Sequence, residues 1–296
     1  MFINPKTDFA FKKIFGSDQS KDILISFLNA MLYEGEDTIA DLQILDPYQA
    51  PRIQGIKDSF LDVKAVLQDG RQIIIEMQVL NVLGFDKRVL YNAAKAFSIQ
   101  LDAGEDYTQL NPVVALTIAD FVMFPHSQKV ISSYALTEKD ELTTYSDDIE
   151  LVFVELPKFK KTLEQLETLS DKWVYFLRYA SQLQEVPSSM ESDPALDRAF
   201  EVARQSRLSR EELELLEQRQ RVLHDSRNAI LFAEQKAREE GLERGLEQGL
   251  EQGLEQGRQE AMREMARQLL DVLEVEAIAQ KTGLGMAEVE ALRADR

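Results

Sequence analysis

Residues 73–75 are three consecutive isoleucines, and the run ends in Glu76-Met77-Gln78. β-Branched residues without polar alternation favour a strand buried on both faces. Such a strand needs neighbours beside it and cover above and below, which points to a layered α/β architecture. Glu76 and Gln78 interrupt the run at a spacing of two, so their side chains point the same way. Polar groups in that position are costly unless partnered or put to use.

The flanking segments extend the pattern. FLDVKAVL (60–67) and RQIIIEMQVL (71–80) read as two strands around the turn QDG. DFAFKKIF, from Asp8, SKDILISFLNAML (20–32) and FDKRVLYNAAKAFSIQL (85–101) carry apolar residues at helical spacing. PVVALTIADFVMF (112–124) is another buried strand and LVFVELPKF (151–159) a last one. Helices interleaved with strands predict a mixed sheet covered by helices. Beyond it the patterns are helical: TLEQLETLSDKWVYFLRYA, DPALDRAFEVARQ and REELELLEQRQRVLHDSRNAILFAEQKAREE. The expected division is an α/β core over 1–160, a helical extension over 161–235, a repeat helix over 236–260 and a small helical module over 261–296.

Composition removes several chemistries. There is no cysteine, so disulfides, thiolate zinc sites and cysteine nucleophiles are excluded. The two histidines, His126 and His224, are far apart, leaving little for a histidine metal site or a serine triad. No apolar run is long enough to cross a bilayer and the N-terminus lacks the outline of a secretory signal, so a cytoplasmic protein without membrane contact is expected. The net charge of -18 opposes casual nucleic-acid binding. Any DNA contact must use a small local patch, with divalent cations offsetting carboxylates.

Residues 241–257 repeat GLER-GLEQ-GLEQ-GLEQ-G. Four residues turn a helix by about 400°, so Leu242, Leu246, Leu250 and Leu254 form a slowly drifting stripe. Each interior glycine costs a helix about 1 kcal/mol relative to alanine. Glycine at every fourth position lets two backbones approach, so a self-associating helix is expected, a dimer or higher, with a right-handed supercoil. A low-complexity spacer is the plainer alternative. The tail VEAIAQKTGLGMAEVEALRAD outlines two helices around GLG. Glu288 and Glu290 on the second suit a partner-binding module better than a DNA-reading helix.

The hairpin register decides where the acids lie. Gly70 after Gln68-Asp69 fits a three-residue loop ending in a left-handed glycine, which pairs Leu67 with Arg71. Continued, that register puts Asp62 across from Glu76 on one face, with Cβ atoms about 5 Å apart. A two-residue turn would instead pair Asp62 with Met77 and separate the acids. Facing carboxylates in apolar strands need an offset. Mg²⁺ provides one with one or two carboxylates plus waters and phosphate oxygens. Lys64, two residues from Asp62, pairing with one acid is the alternative.

Asp62, thirteen residues, then Glu76-Met77-Gln78, with the opening NPKTDFAFKKIFG, the helix DKRVLYNAAKAFSIQL and the G-L-E-x repeat, resembles the PD-(D/E)XK nuclease superfamily. More narrowly it resembles the recombination-promoting nuclease (Rpn) family, also described as transposase-like. The resemblance implies a restriction-endonuclease-like fold, divalent-metal-dependent DNA cleavage and a role in promoting recombination. It assigns Asp62 and Glu76 as metal ligands and the Met77 carbonyl as a third, holding Mg²⁺ with Mn²⁺ or Ca²⁺ as substitutes.

Gln78 stands at the lysine position of that pattern, and glutamine can orient water but cannot take up a proton or supply charge. Lys64, Lys12 or Lys13 are candidates for the missing cation. Asp8 matches an acid on the first helix that completes the metal's outer shell, and it also suits a helix N-cap. Arg88, Tyr91 and Lys95 form one stripe for phosphate contact, and Gln100 resembles a glutamine of related nucleases. The leading expectation is a Mg²⁺-dependent DNA endonuclease. The other is a nuclease-fold protein whose chemistry has lapsed and which binds DNA or a protein partner.

Overall fold

A computed structural model describes residues 1–49, 59–102, 104–191 and 193–294. The chain opens with α1 (Asp8–Phe15) and α2 (Lys21–Leu32), then β1 (Leu42–Leu45) and the short pair β2 (Tyr48–Gln49) and β3 (Ser59–Phe60). The central hairpin is β4 (Val63–Leu67) and β5 (Gln72–Gln78), followed by α3 (Phe85–Ser98) and β6 (Val113–Ala119). β7 (Ile131–Thr137) and β8 (Thr144–Glu155) complete the strands. The helices α4 (Leu169–Tyr179), α5 (Pro194–Val202), α6 (Arg210–Leu269), α7 (Val275–Thr282) and α8 (Met286–Ala294) close the chain.

Six strands form one mixed sheet in the order β1-β4-β5-β6-β8-β7. β5, β6 and β8 run parallel, and the remaining pairs are antiparallel. Parallel strands in the middle require cover on both faces, and β6 is buried at every residue. On one face Ile73, Ile75, Val114 and Leu116 meet Phe11 and Phe15 of α1, Phe27 of α2, Trp173 and Phe176 of α4 and Phe200 of α5. On the other, Ile74, Val113 and Ala115 meet Ala93 and Ala96 of α3, small residues that let the helix lie close.

The change of composition near residue 160 therefore does not coincide with a break in packing. α4 and α5 supply aromatic rings to the same core as α1 and α2. Compact packing divides the described chain at His224, within α6, into residues 1–224 and 225–296. The second unit has its own small core of Ala266, Ile278, Leu284 and Val289, with Gly283 in the left-handed conformation ending α7. The glycine repeat lies wholly within helical backbone, and Leu242, Leu246, Leu250 and Leu254 are exposed.

The structure differs from the sequence reading in several stretches: the edge strand β1 and the short β2 were not read, and β8 begins at Thr144, ahead of the strand read from 151. β7 was not expected, because its residues are mostly exposed and show no apolar alternation; its pairing with β8 holds it extended. The helix read from Thr162 begins only at Leu169. There Thr168 caps it by accepting the Asp171 amide, and the Asp171 side chain accepts the Thr168 amide.

Candidate active site

The hairpin loop has the predicted form. Gly70 has φ +88°, its amide donates to the Leu67 carbonyl, and the Leu67 amide donates to Arg71. The register follows, with Val63 opposite Ile75 and Lys64 opposite Ile74. The pairing then stops. The Asp62 amide donates to the Ile75 carbonyl at 3.1 Å. Leu61 packs on the α3 face while Val63 packs on the α1 face, although a regular strand would put both on the same side. The chain turns over at Asp62.

That bend replaces the expected face-to-face arrangement with a different one. Asp62 Oδ2 accepts the Met77 main-chain amide at 2.7 Å, a place that a carbonyl of a continuing β4 would have filled. Residues Gln72 and Gln78 use their backbone groups on β6, so Met77 directs both amide and carbonyl to the β4 side, where Asp62 sits. Asp62 therefore lies one peptide group from Glu76.

Around Asp62 the surroundings come from α1. The Lys12 ammonium is 2.5 Å from Asp8 Oδ1 and 3.5 Å from Asp62 Oδ1. The Asp8 and Asp62 carboxyls thus share one ammonium. Burial pushes the Asp62 carboxyl up to about 6; the Met77 amide and Lys12 oppose the rise and Asp8 adds to it. Asp8 is raised by burial, but Lys12, the Asp62 carboxyl and Arg219 bring it below the ordinary value. Capping of α1 falls to Thr7, whose hydroxyl accepts the Ala10 amide, so Asp8 is not the N-cap and its carboxylate pairs with Lys12 instead.

Glu76 faces α3. Its Oε1 is 2.5 Å from Arg88 Nη2 and its Oε2 accepts from Asn92 Nδ2 at 3.5 Å. Burial raises its pKa and Arg88 opposes the rise. Below it is a recess of about 10 Å³, lined by Leu61, Val89, Asn92 and Thr117; that is room for about one water. Gln78 is fully engaged: its Nε2 donates to the Leu80 carbonyl at 2.6 Å and its Oε1 accepts from Arg88 at 2.6 Å.

The remaining candidates separate into two groups. Lys12, Arg88 and the half-exposed Tyr91 flank the acids or lie on the helix above Glu76. Lys13 pairs with Glu212 of α6. Lys64 is half-buried, which lowers its pKa, and the charge it feels is that of Asp46; among the described residues it pairs with neither Asp62 nor Glu76. Lys95 is buried with its ammonium on the Gln49 carbonyl. Gln100 brackets the Asn111 backbone, donating to its carbonyl and accepting from its amide.

Sequence reasoning missed Asn92 and Arg219, and saw Arg88 only as a phosphate contact. Asn92 was legible as the polar residue on the apolar stripe Phe85-Val89-Ala93-Ala96. Arg219, 4.0 Å from Asp8, carried no local signal because it lies 211 positions away in the chain.

The donors suit a hard divalent cation. Asp62, the Met77 carbonyl and Glu76 all offer oxygen donors, and Asp62 is held beside Met77 by its main-chain amide. No cluster of three or more histidine, cysteine, aspartate or glutamate side chains forms among the described residues, so a cage made only of side chains is absent there. Mg²⁺ does not require one, since it keeps several waters.

A mixed sheet whose hairpin brings an aspartate beside Glu-x-Gln, with a further acid from the first helix, is the frame of a PD-(D/E)XK nuclease. Residues 5–233 match the family described as PD-(D/E)XK nuclease family transposase, and the chain belongs to it. No curated protein matches the chain. No solved structure matches it either.

Proposed function

We propose that the protein is a Mg²⁺-dependent DNA endonuclease that hydrolyses phosphodiesters and promotes recombination in the cytoplasm. The observation that carries this reading is Asp62: a desolvated carboxylate held on the Met77 amide, beside a second carboxyl from α1. The Met77 amide and a single lysine engage these two acids, and a cation-binding role accounts for why both are placed together.

Asp62, Glu76 and the Met77 carbonyl would hold the ion, with Asp8 in its outer shell. Bound there, Mg²⁺ would lower the pKa of water and neutralise charge on the leaving oxygen. The chain's own part is positional. Met77 fixes Asp62 through one oxygen, leaving Oδ1 toward Lys12. Lys12, Arg88 and Tyr91 are the side chains we assign to the DNA backbone, whereas Lys13 is held by Glu212. They form the local patch that a strongly acidic protein needs. Self-association through the exposed leucine and glycine repeat of α6 completes the reading.

One observation favours a second reading, a lapsed nuclease that binds DNA or a protein partner. Gln78 occupies the lysine position, and both of its polar groups are tied down. Plasmid cleavage separates the two. Purified protein with Mg²⁺ should nick or degrade plasmid, and Asp62→Ala should not. Equal cutting by that variant would exclude this site, and binding without cutting would favour the lapsed reading.

A further inference from the structure

The amide of Gln78 has one defined orientation. Its Nε2 donates to the Leu80 carbonyl, so Oε1 must face α3, where it accepts from Arg88 Nη2 at 2.6 Å. The same Nη2 reaches Glu76 Oε1 at 2.5 Å, and the guanidinium carbon is 5.0 Å from the centroid of the Phe85 ring. Arg88 thus sits over Glu76 and Gln78 of β5, held from below by one charged and one neutral acceptor. Its Nε is buried with no partner among the described residues, while the side chain as a whole is 41% exposed, so the open side of the guanidinium is where further donors face solvent.

A lysine at position 78 would bring an ammonium against this guanidinium, and like charges at hydrogen-bonding distance repel. A neutral acceptor is what lets an arginine approach from the helix. We propose that Arg88 supplies to the DNA phosphate the positive charge that β5 itself lacks, with Gln78 as the positioning residue that holds it. This deepens the nuclease reading and rests on it for the identity of the phosphate. Glu76 neutralises Arg88 where they pair, whereas the Gln78 bond costs the guanidinium none of its charge. Arginine suits the role because its planar fork can keep one donor on Gln78 while offering others to phosphate oxygens.

The test is second-site rescue, read by duplex-oligonucleotide binding in Ca²⁺ and single-turnover cleavage in Mg²⁺. Arg88→Ala and Gln78→Ala should each weaken binding severalfold, and Arg88→Ala should slow cleavage about a hundredfold, the scale seen on removing one donor to developing charge. The double variant should be no worse than Arg88→Ala. Arg88→Lys should recover part of the loss. Gln78→Lys should impair the protein with Arg88 present, yet restore binding and cleavage in the Arg88→Ala background, because charge has returned to the strand. Thermal unfolding of each variant separates misfolding from lost function. Additive effects of the two alanine changes, or a gain from Gln78→Lys with Arg88 intact, would overturn the proposal. If the wild type binds the duplex but never cuts it, the nuclease reading fails, and the pattern of coupling in binding still decides the role of Arg88.

Discussion

Asp62 accepts the main-chain amide of Met77, the residue that follows Glu76, and so ties the two acidic positions together through one peptide group. The contact exists because β4 stops pairing at Val63 and hands its next hydrogen-bonding place to a side chain. A carboxylate used as a strand extension is aligned by the sheet itself. Its position is therefore set by the Met77 peptide group.

Stability should report the burial of Asp62. Its carboxyl is raised from 3.8 to about 6 in the folded protein. A raised acid stabilises the folded state fully below its unfolded value and loses that contribution as pH rises through the folded one. Metal-free protein should therefore lose on the order of 1–3 kcal/mol between about pH 4 and pH 7 from this group. Asp62→Asn should flatten that part of the pH–stability curve in urea unfolding. An unchanged curve would deny the desolvation.

Metal binding should be visible without any DNA. Calorimetric titration with Mg²⁺ or Mn²⁺ should give heat that disappears in Asp62→Ala and Glu76→Ala. Below about pH 6 it should be accompanied by proton release, since Asp62 must ionise to bind. Saturating metal should raise stability by about 2.7 kcal/mol at a hundredfold excess over Kd, and a chelator should return it and abolish cleavage.

Gly70 is the sequence position on which the hairpin depends. Its positive φ and the closeness of the Asn111 side chain to a would-be Cβ both oppose substitution. Gly70→Ala should cost about 1–3 kcal/mol and reduce DNA cleavage with it, because the register that delivers Asp62 to Met77 starts there. Chemical denaturation and a plasmid assay would show whether the two losses travel together.

The repeat helix offers a test in which helicity and association move oppositely. Gly245, Gly249 and Gly253 have open space where a Cβ would stand and no positive φ. Alanine at these positions should raise helix stability by about 1 kcal/mol each. If backbones approach along the glycines, the same change should convert the oligomer to monomer in light scattering. Increased helicity with an unchanged oligomer would place the contact elsewhere, and a monomeric wild type would remove it.

Much of this was legible in the sequence because local rules governed it. The Ile73–Ile75 run, the left-handed glycine of the hairpin and the helical spacing in α1, α2 and α3 each acted over a few residues. The bend at Asp62 was not legible, since it arises where β4 leaves the sheet and its one turn-forming residue, Asp62, reads equally well as an acid within the strand. Arg219 beside Asp8 and Arg88 over Gln78 depend on how helices dock, which is long-range information. β7 was invisible because an exposed edge strand carries no apolar alternation.

The parallel pairing of β5 with β6 has a consequence for synthesis. β4 and β5 can zip together as soon as they leave the ribosome, but the other edge of β5 must wait for α3 to be made and β6 to return alongside it. During that interval the triple isoleucine presents an open, sticky border to any neighbouring nascent chain. Glu76 closes the isoleucine run with a charge, the kind of residue that discourages such stacking.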